Sequence, residues 1–417
     1  MSGALDIAER AVAAPRIAVI GIGEDGWEGL SEAAKRLVRE AELLVGGRRH
    51  LALVPEFGQE RVIWPSDIGG FVERLRHDGR AVAILASGDP MLYGVGALVA
   101  ARLPAGSWHI IPAVSSFALA CARLGWAVNE TVLVSACGRP LEALHAELFD
   151  GARIVLLSAD RATPHAVTAL LAARGFTESR IAVLEHLGGP RERIRRFALG
   201  DWPADACFAD LNLLAIECRA GPEARALSRA PGLPDDAFSH DGQISKREVR
   251  AVTLARLSPR PGELLWDIGA GSGSIGIEWM RAAPRARALG IEPRADRAAR
   301  ARANAAALGV PGYRVIEGRA PEALAGLTRP DAVFVGGGLT APNLVEVCWD
   351  ALAPGGRLVA NAVTLESEAV LLDAFRARGG DLVRLAVSRA DPVGGFTGWR
   401  PMMPVTQWAV EKPRTGS

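Results

Sequence analysis

Residues 264–276 read Leu-Leu-Trp-Asp-Ile-Gly-Ala-Gly-Ser-Gly-Ser-Ile-Gly. The apolar start is typical of a buried parallel strand, and the glycines that follow predict a tight turn before a helix that begins near Ser274. Gly269, Gly271 and Gly273 let the backbone approach a ligand closely, and the start of the helix offers unpaired N–H groups. The stretch therefore predicts an α/β domain with a ligand-binding loop, although dinucleotide-binding folds use a similar turn.

The segments after this loop carry further groups at strand ends. Asp267 ends the first strand and favours a ligand that bears an ammonium group. Glu292 ends the second strand, where a ribose diol would lie. The sequence Glu317-Gly-Arg-Ala320 follows the third strand, where backbone would hold an adenine edge. This ordered set resembles the class I S-adenosylmethionine (SAM) methyltransferases and implies a Rossmann-like fold; a nicotinamide-binding domain is the alternative.

Short apolar runs recur along the chain and alternate with helical stretches, which predicts an α/β protein throughout. The run 221–238 differs, because it is rich in proline and glycine and lacks apolar periodicity, as a linker does. We therefore predict a first domain over 16–220, a linker over 221–238 and a second domain over 239–417.

Composition limits the possible classes of protein. The 417 residues are 49% hydrophobic and 23% charged with a net charge of +1, which argues against an obligatory nucleic-acid or membrane-surface binder. Five scattered cysteines without a Cys-x-x-Cys pair indicate a reducing compartment and no metal site. The polar start over 1–15 lacks the apolar core of a signal peptide, and no run suffices to span a membrane. We expect a cytoplasmic protein without membrane or nucleic-acid partners.

The segment 240–250, His-Asp-Gly-Gln-Ile-Ser-Lys-Arg-Glu-Val-Arg, precedes the glycine loop. Together with the loop, Glu292 and the run 318–324, it resembles the C-15 methylating, decarboxylating module of cobalamin biosynthesis. Arg319 departs from that pattern, since many relatives have an acid there, and some have Thr in place of Ser245. The resemblance implies SAM contacts from Ser245, Gly269, Ala270, Gly271, Ser272, Gly273, Glu292 and Ala320.

The fourth strand of this half ends in three glycines, Gly336–Gly338. Amino-methylating enzymes of nucleic acids usually carry an Asn/Asp-Pro-Pro-aromatic motif there, so the substrate here supplies its own nucleophile and the protein mainly positions it. Arg247 and Arg250 are candidates for holding substrate carboxylates. The alternative is that they form a solvated first helical turn.

Two motifs in the N-terminal half follow a strand that ends in Gly-x-Gly. They are Ala-Ser-Gly-Asp-Pro-Met-Leu-Tyr-Gly over 86–94 and Ile-Pro-Ala-Val-Ser-Ser-Phe over 111–117. In this order they resemble the tetrapyrrole methylase family, whose SAM lies folded in a trough between two α/β lobes. Glu24-Asp25-Gly26 departs from the family's frequent Pro-Gly, and Asp89 could instead close a turn. The resemblance implies that the trough is lined by Ile22, Asp89, Leu92, Ser115 and Ser116.

Four arginines between 188 and 196 include Arg193, which we consider a candidate for substrate carboxylates; an exposed basic edge is the alternative. No general acid–base pair is apparent in this half, so no catalytic residue is assigned. Of the histidines, only His186 and His240 lie beside motif segments.

The two resemblances together imply an enzyme of cobalamin biosynthesis. Its substrate would be a small-molecule tetrapyrrole, a precorrin, methylated at C-5 by the N-terminal module and at C-15, with decarboxylation, by the C-terminal one. Two SAM sites, no metal and a homo-oligomer are expected. Three alternatives stay open: an RNA (tRNA) methyltransferase, a C-terminal methylase with a non-catalytic N-terminal scaffold that binds SAM or intermediate, and a methylase of another ring carbon.

Overall fold

The computed structural model describes residues 16–414, so the polar start predicted over 1–15 lies outside the described residues. The chain forms two compact units. The first contains the described residues up to Arg139 together with Phe149–Arg225, and the second contains Pro140–Leu148 together with the chain from Ala226 onward. Strands and helices alternate in both units, which confirms the predicted α/β class.

A parallel sheet forms the N-terminal part of the first unit. One of its interior strands, Ile17–Ile22, is fully buried and consists only of apolar residues and glycine. The strands are β1 (Ile17–Ile22), β2 (Leu43–Gly46), β3 (Glu60–Ile63), β4 (Val82–Ser87) and β5 (Trp108–Ile111), in the order β3-β2-β4-β1-β5. The helices between them are α1 (Gly26–Gly29), α2 (Glu32–Glu40), α3 (Arg48–Ala52), α4 (Ile68–Leu75) and α5 (Val95–Arg102).

A second, mixed sheet completes the first unit. Helix α6 (Ser116–Leu124) leads into it, and α7 (Thr163–Ala173) connects two of its strands. The strands are β6 (Val132–Ser135), β7 (Arg153–Leu157), β8 (Arg180–Glu185), β9 (Arg193–Ala198) and β10 (Asn212–Glu217), in the order β6-β7-β10-β8-β9. Two sheets within one unit correspond to the two lobes that the resemblance implies.

A seven-stranded sheet forms the second unit. It contains β11 (Leu264–Ile268), β12 (Arg287–Glu292), β13 (Arg314–Glu317), β14 (Ala332–Val335), β15 (Arg357–Ala362), β16 (Asp381–Leu385) and β19 (Val405–Glu411). The order is β13-β12-β11-β14-β15-β19-β16, and only the pairings of β19 are antiparallel. Reversal of strand order beside β11 leaves a crevice at the carboxyl ends of the strands, where ligands of such sheets bind.

Five helices and a hairpin complete the second unit. The helices are α8 (Arg247–Leu257), α9 (Ser274–Ala282), α10 (Ala295–Ala307), α11 (Leu344–Ala351) and α12 (Leu365–Arg378). The hairpin pairs β17 (Ser388–Val393) with β18 (Phe396–Pro401) and exposes Phe396 and Trp399. Within residues 16–414, no helix is both long and apolar enough to cross a membrane.

Two segments of the second unit were not expected there. Residues 226–238 fall within the predicted linker, but Leu233 and Phe238 are buried in the core of this unit. The backbone N–H groups of Gly232 and Leu233 both donate to the Glu278 carboxylate. Residues 140–148 also belong to this unit, and a side chain at Gly309 after α10 would meet Ala146. The unit therefore begins well before residue 239.

Candidate functional sites

A cavity of about 740 Å³ lies at the carboxyl ends of β11 to β15. Its volume is typical of sites for small molecules. Seven residues implied to contact SAM line it: Ser245, Gly269, Ala270, Gly271, Ser272, Glu292 and Ala320. Gly273, the N-terminal cap of α9, does not line the cavity.

The glycine loop brings backbone to this cavity. Gly269 and Gly271 have φ values of +72° and +57°, a region that favours glycine. A side chain at Gly269 would also lie 2.7 Å from the backbone nitrogen of Gly337, so the loop after β11 packs against the glycine loop after β14. This close approach explains the need for glycine at position 269.

Glu292 presents a fixed carboxylate to the same cavity. The side chain is buried, and its two oxygens accept hydrogen bonds from Gly271 N at 2.9 Å and Arg294 N at 3.1 Å. These bonds hold the carboxylate at the end of β12, and each oxygen retains further acceptor capacity. A diol such as that of ribose fits such an acceptor pair.

Asp267 is buried beneath the glycine loop. One oxygen, Oδ2, accepts from Gly276 N at 2.9 Å and from the Tyr313 hydroxyl at 2.8 Å. Burial raises the pKa of Asp267 to about 6 even though both hydrogen bonds oppose the change, and burial with the nearby Asp267 raises the pKa of Tyr313. Oδ1 accepts no hydrogen bond within the described chain, which suits the ammonium-bearing ligand expected from the sequence.

Arg250 corrects one prediction from the sequence. Its side chain is fully buried and paired with Glu278 and Asp235, each at 2.8 Å, so it cannot hold a substrate carboxylate. It also donates to the carbonyl oxygens of Ser245 and Leu233. Arg250 thus fixes the segment that carries Ser245 to the edge of the cavity.

Two further arginines proposed for substrate carboxylates lie outside the cavities. Arg247, at the start of α8, is exposed and does not line the cavity of the second unit. Arg193, at the start of β9, is exposed and does not line the cavity of the first unit. Instead, Lys246 and Arg319 line the cavity of the second unit. Neither makes an ion pair within residues 16–414, so these cations are available to a ligand.

The first unit contains its own cavity, of about 200 Å³, between the carboxyl ends of strands from both sheets. Ile22, Asp89, Leu92, Ser115 and Ser116, all five residues implied by the resemblance, line it. Two of these side chains also shape the local backbone. Asp89 Oδ1 accepts from Met91 N at 2.8 Å and closes a turn, and Ser115 Oγ caps α6 by accepting from Ala118 N at 3.1 Å. The structural alternative for Asp89 thus holds together with its place in the cavity.

A charged cluster in this cavity was missed by the sequence analysis. His186, after β8, lies with its Nδ1 3.0 Å from Glu24 Oε2, after β1, and Glu24 also accepts from Arg49. These three residues line the cavity. Glu24 and His186 are separated by 162 positions, so only the fold brings them together. In the sequence, only the position of Glu24 and of His186 shortly after a predicted strand and beside a motif could have indicated this pair.

Comparisons with known proteins agree with the division into two halves. Residues 16–203 match the family model of the tetrapyrrole (corrin/porphyrin) methylases, and residues 236–412 match that of the precorrin methyltransferase domain.

Two curated relatives span nearly the whole chain. A protein from Sinorhizobium sp, named precorrin-6Y C(5,15)-methyltransferase [decarboxylating], is 50% identical over 97% of this chain and 98% of its own length. A protein of the same name from Mycobacterium tuberculosis is 42% identical over 95% of this chain and 100% of its own length. Among solved structures, the C-terminal domain of precorrin-6Y C5,15-methyltransferase from Rhodobacter capsulatus is 49% identical, with a TM-score of 0.43, and covers 45% of this chain and 100% of its own.

Proposed function

We propose that this chain, which belongs to the precorrin-6Y C5,15-methyltransferase (decarboxylating) family, methylates precorrin-6Y at C-5 and C-15. The ring C acetate loses carbon dioxide, and the product is precorrin-8X. Each methyl group comes from one SAM molecule, bound at its own site. The first unit is assigned to C-5, and the second to C-15 with decarboxylation.

The observation that carries this proposal is the presence of two separate cavities. Each lies at the carboxyl ends of strands within one unit, and each is lined by the motif residues of a different kind of methylase. A single SAM site would explain only one of them. An enzyme that binds two SAM molecules uses both.

The chemistry needs positioning more than acid–base work in the second unit. An enamine carbon of the reduced macrocycle attacks the sulfonium methyl, the carbon–sulfur bond breaks, and the ring becomes iminium-like. This electron sink then accepts the pair released when the carboxylate leaves as carbon dioxide. The protein contributes by holding SAM and the macrocycle at reacting distance. Lys246 and Arg319, at the cavity wall, are the cations we assign to carboxylate groups of the ligands.

The test is mass spectrometry of the product formed from SAM and precorrin-6Y by wild type, Asp89→Asn and Glu292→Gln. Wild type is expected to add two methyl groups and release one carbon dioxide. Asp89→Asn is expected to add mainly one methyl group with the same release, because only the cavity of the first unit is altered. Glu292→Gln is expected to retain the acetate carboxylate, because an NH2 donor replaces one of the two carboxylate oxygens that would accept from the ribose diol.

Two matched controls separate these effects from general damage. Asp67 accepts from Gly70 N at the start of α4, much as Asp89 closes its turn, but it does not line the cavity. Asp296 is an exposed acid of the first turn of α10 that does not line the cavity of the second unit. Asp67→Asn and Asp296→Asn should give the wild-type product. If Asp89→Asn also gives it, the cavity lined by Asp89 is not the site of C-5 methylation, and a wild-type product with one added methyl group and the same release would make the first unit a scaffold.

We also propose a homo-oligomer, as the resemblance implies. Size-exclusion chromatography with light scattering of the full chain tests this, and a monomeric mass would contradict it.

A further inference from the structure

The cavity of the first unit holds a histidine whose ring is oriented by a buried carboxylate. Glu24 Oε2 lies 3.0 Å from His186 Nδ1, and Glu24 Oε1 accepts from Arg49. The Glu24 side chain is 10% exposed and that of His186 is 16% exposed, so both are largely shielded from solvent. All three residues border the space that the motif residues line.

The carboxylate decides which ring nitrogen carries the proton. An ionised Glu24 only accepts hydrogen bonds, so Nδ1 of His186 donates to it. Burial works against the charged form of Glu24, but the hydrogen bonds from His186 and Arg49 outweigh this and lower its pKa. Nε2 of His186 then carries a lone pair, and it makes no hydrogen bond within residues 16–414. A histidine held in this way by a carboxylate is arranged as a general base.

The backbone of His186 is held in an unusual conformation. Its φ is +50°, a region that side-chain-bearing residues rarely adopt. The residue is fixed there by its N–H, which donates to Leu211 O, and by its carbonyl, which accepts from Gly189 N. Such strain at a cavity wall is typical of functional positions.

Other titratable side chains in or beside this cavity make contacts of their own. His50 lies next to the lining residue Arg49 but is not itself part of the cavity wall. Its Nε2 lies 2.8 Å from Ser87 Oγ, and burial together with Arg49 lowers the pKa of His50 to about 4, so it is a weak base. Asp89 closes its turn, and Cys137 Sγ donates to Ser158 O. His186 is the one histidine among the described lining residues, and its Nε2 keeps an available lone pair.

We propose that His186 is the proton acceptor of methyl transfer in the first unit, with Glu24 as its positioning residue. This inference rests on the proposed function of that unit. The substrate carbon forms a bond to the SAM methyl group while the carbon–sulfur bond breaks, and the sulfur keeps the electron pair. The ring nitrogen conjugated to that carbon becomes a cationic iminium N–H. Its proton passes to Nε2 of His186, which restores a neutral ring and leaves an imidazolium beside Glu24.

The charges around the pair suit this role. Arg49 and Arg191 both face Glu24, with Arg191 Nη2 3.9 Å from Oε2, and they hold the carboxylate ionised. On the loop after His186, Glu192 is neutralised by Arg123 and accepts from Gly188 N. His50 on α3 faces the cluster in its neutral form. The imidazolium formed in the reaction therefore has Glu24 as its nearest anion.

The test measures C-5 methylation as a function of pH in the full chain. His186→Asn is the informative variant, because Asn tolerates a positive φ and can still donate to Glu24, but it has no basic nitrogen. We expect its kcat to fall about 100-fold or more, with SAM affinity within about twofold of wild type, and added imidazole to restore part of the rate. The acidic limb of the pH profile should disappear.

The pH profile of Glu24→Gln provides a second, independent test. Loss of the carboxylate makes the imidazolium less stable, so the acidic limb should move to lower pH and the plateau should fall. His109→Asn, at an exposed position on β5 outside the cavity, should leave the profile unchanged.

The outcomes are distinguishable. Wild-type rates in His186→Asn, or a slow His186→Asn enzyme with an unchanged pH profile and no rescue by imidazole, would overturn the role of His186 alone. A wild-type enzyme that adds no methyl group at C-5 would overturn the proposed function of the first unit instead.

Discussion

Asp267 makes the stability of the second unit depend on pH. The folded protein binds a proton at this carboxyl up to about pH 6, whereas the unfolded chain releases it near pH 3.8. Stability therefore falls as pH rises between these values and levels off above pH 6. Relative to Asp267→Asn, which can accept the same two hydrogen bonds, wild type should lose about 1.4 kcal/mol between pH 5 and pH 8. Urea unfolding without SAM at both pH values measures this.

The control for that experiment is Asp350→Asn, an exposed position at the end of α11. Its difference from wild type should be the same at both pH values. Parallel profiles for Asp267→Asn and wild type would contradict the prediction, since a carboxyl with an ordinary environment gives no such change.

Motif residues were predictable at the scale of single residues because their spacing is local. The five residues implied for the first cavity all line it, since each lies at or shortly after a strand end that the sequence reveals. The pair of Glu24 and His186 was not predictable, because it depends on how two sheets of one unit meet. The assignment of Arg250 to substrate carboxylates was wrong. The burial of this side chain depends on its ion pair with Glu278, 28 positions away, which the sequence does not reveal.

At the scale of an element, the packing of helix α8 depends on Arg250. Removal of this cation would leave the Glu278 carboxylate buried without its partner and release the segment that carries Ser245. We expect Arg250→Met to lower the free energy of unfolding by about 3 kcal/mol and to weaken SAM binding in the second unit. Adding Glu278→Gln should recover part of the loss. Chemical denaturation and calorimetric titration with SAM measure both effects.

Arg256→Met on the same helix is the matched control. Arg256 pairs with Asp381 at 2.6 Å, but both side chains are substantially exposed, so the expected loss is below about 1 kcal/mol. Equal losses in the two variants would show that the buried network around Arg250 has no special weight.

Strands are most clearly marked in the sequence where both faces are buried and are weakly marked where a face meets solvent. The apolar runs of β1, β4 and β11 give a clear signal. Strand β9 carries a weak signal because arginines occupy exposed positions in it, and β3 is half exposed. The hairpin of β17 and β18 is exposed on both faces, so neither alternation nor a continuous apolar run marks it.

At the scale of the whole molecule, one segment from the first half of the sequence belongs to the second unit. Leu144 is fully buried and lies in the segment 140–148, which belongs to the second unit. Leu144→Ala should therefore destabilise that unit by about 2–5 kcal/mol. Hydrogen exchange should increase in peptides of α10 and not in those of β1 to β5. Leu44→Ala, equally buried in the first sheet, should give the reverse pattern, and exchange confined to the first unit in Leu144→Ala would contradict the assignment.

The segment 140–148 also bears on how such a protein could be divided into two genes. The chain leaves the first unit after Arg139, returns at Phe149 and leaves again after Arg225. A single break in the coding sequence at 225/226 would keep Leu144 and Glu147 with the wrong polypeptide, so the shorter product would lack both a core side chain and the partner of Arg229. Division into two independent enzymes thus requires compensating substitutions on the surface of α10. In the opposite direction, two fused enzymes could gradually acquire the packing of segment 140–148 against the second unit.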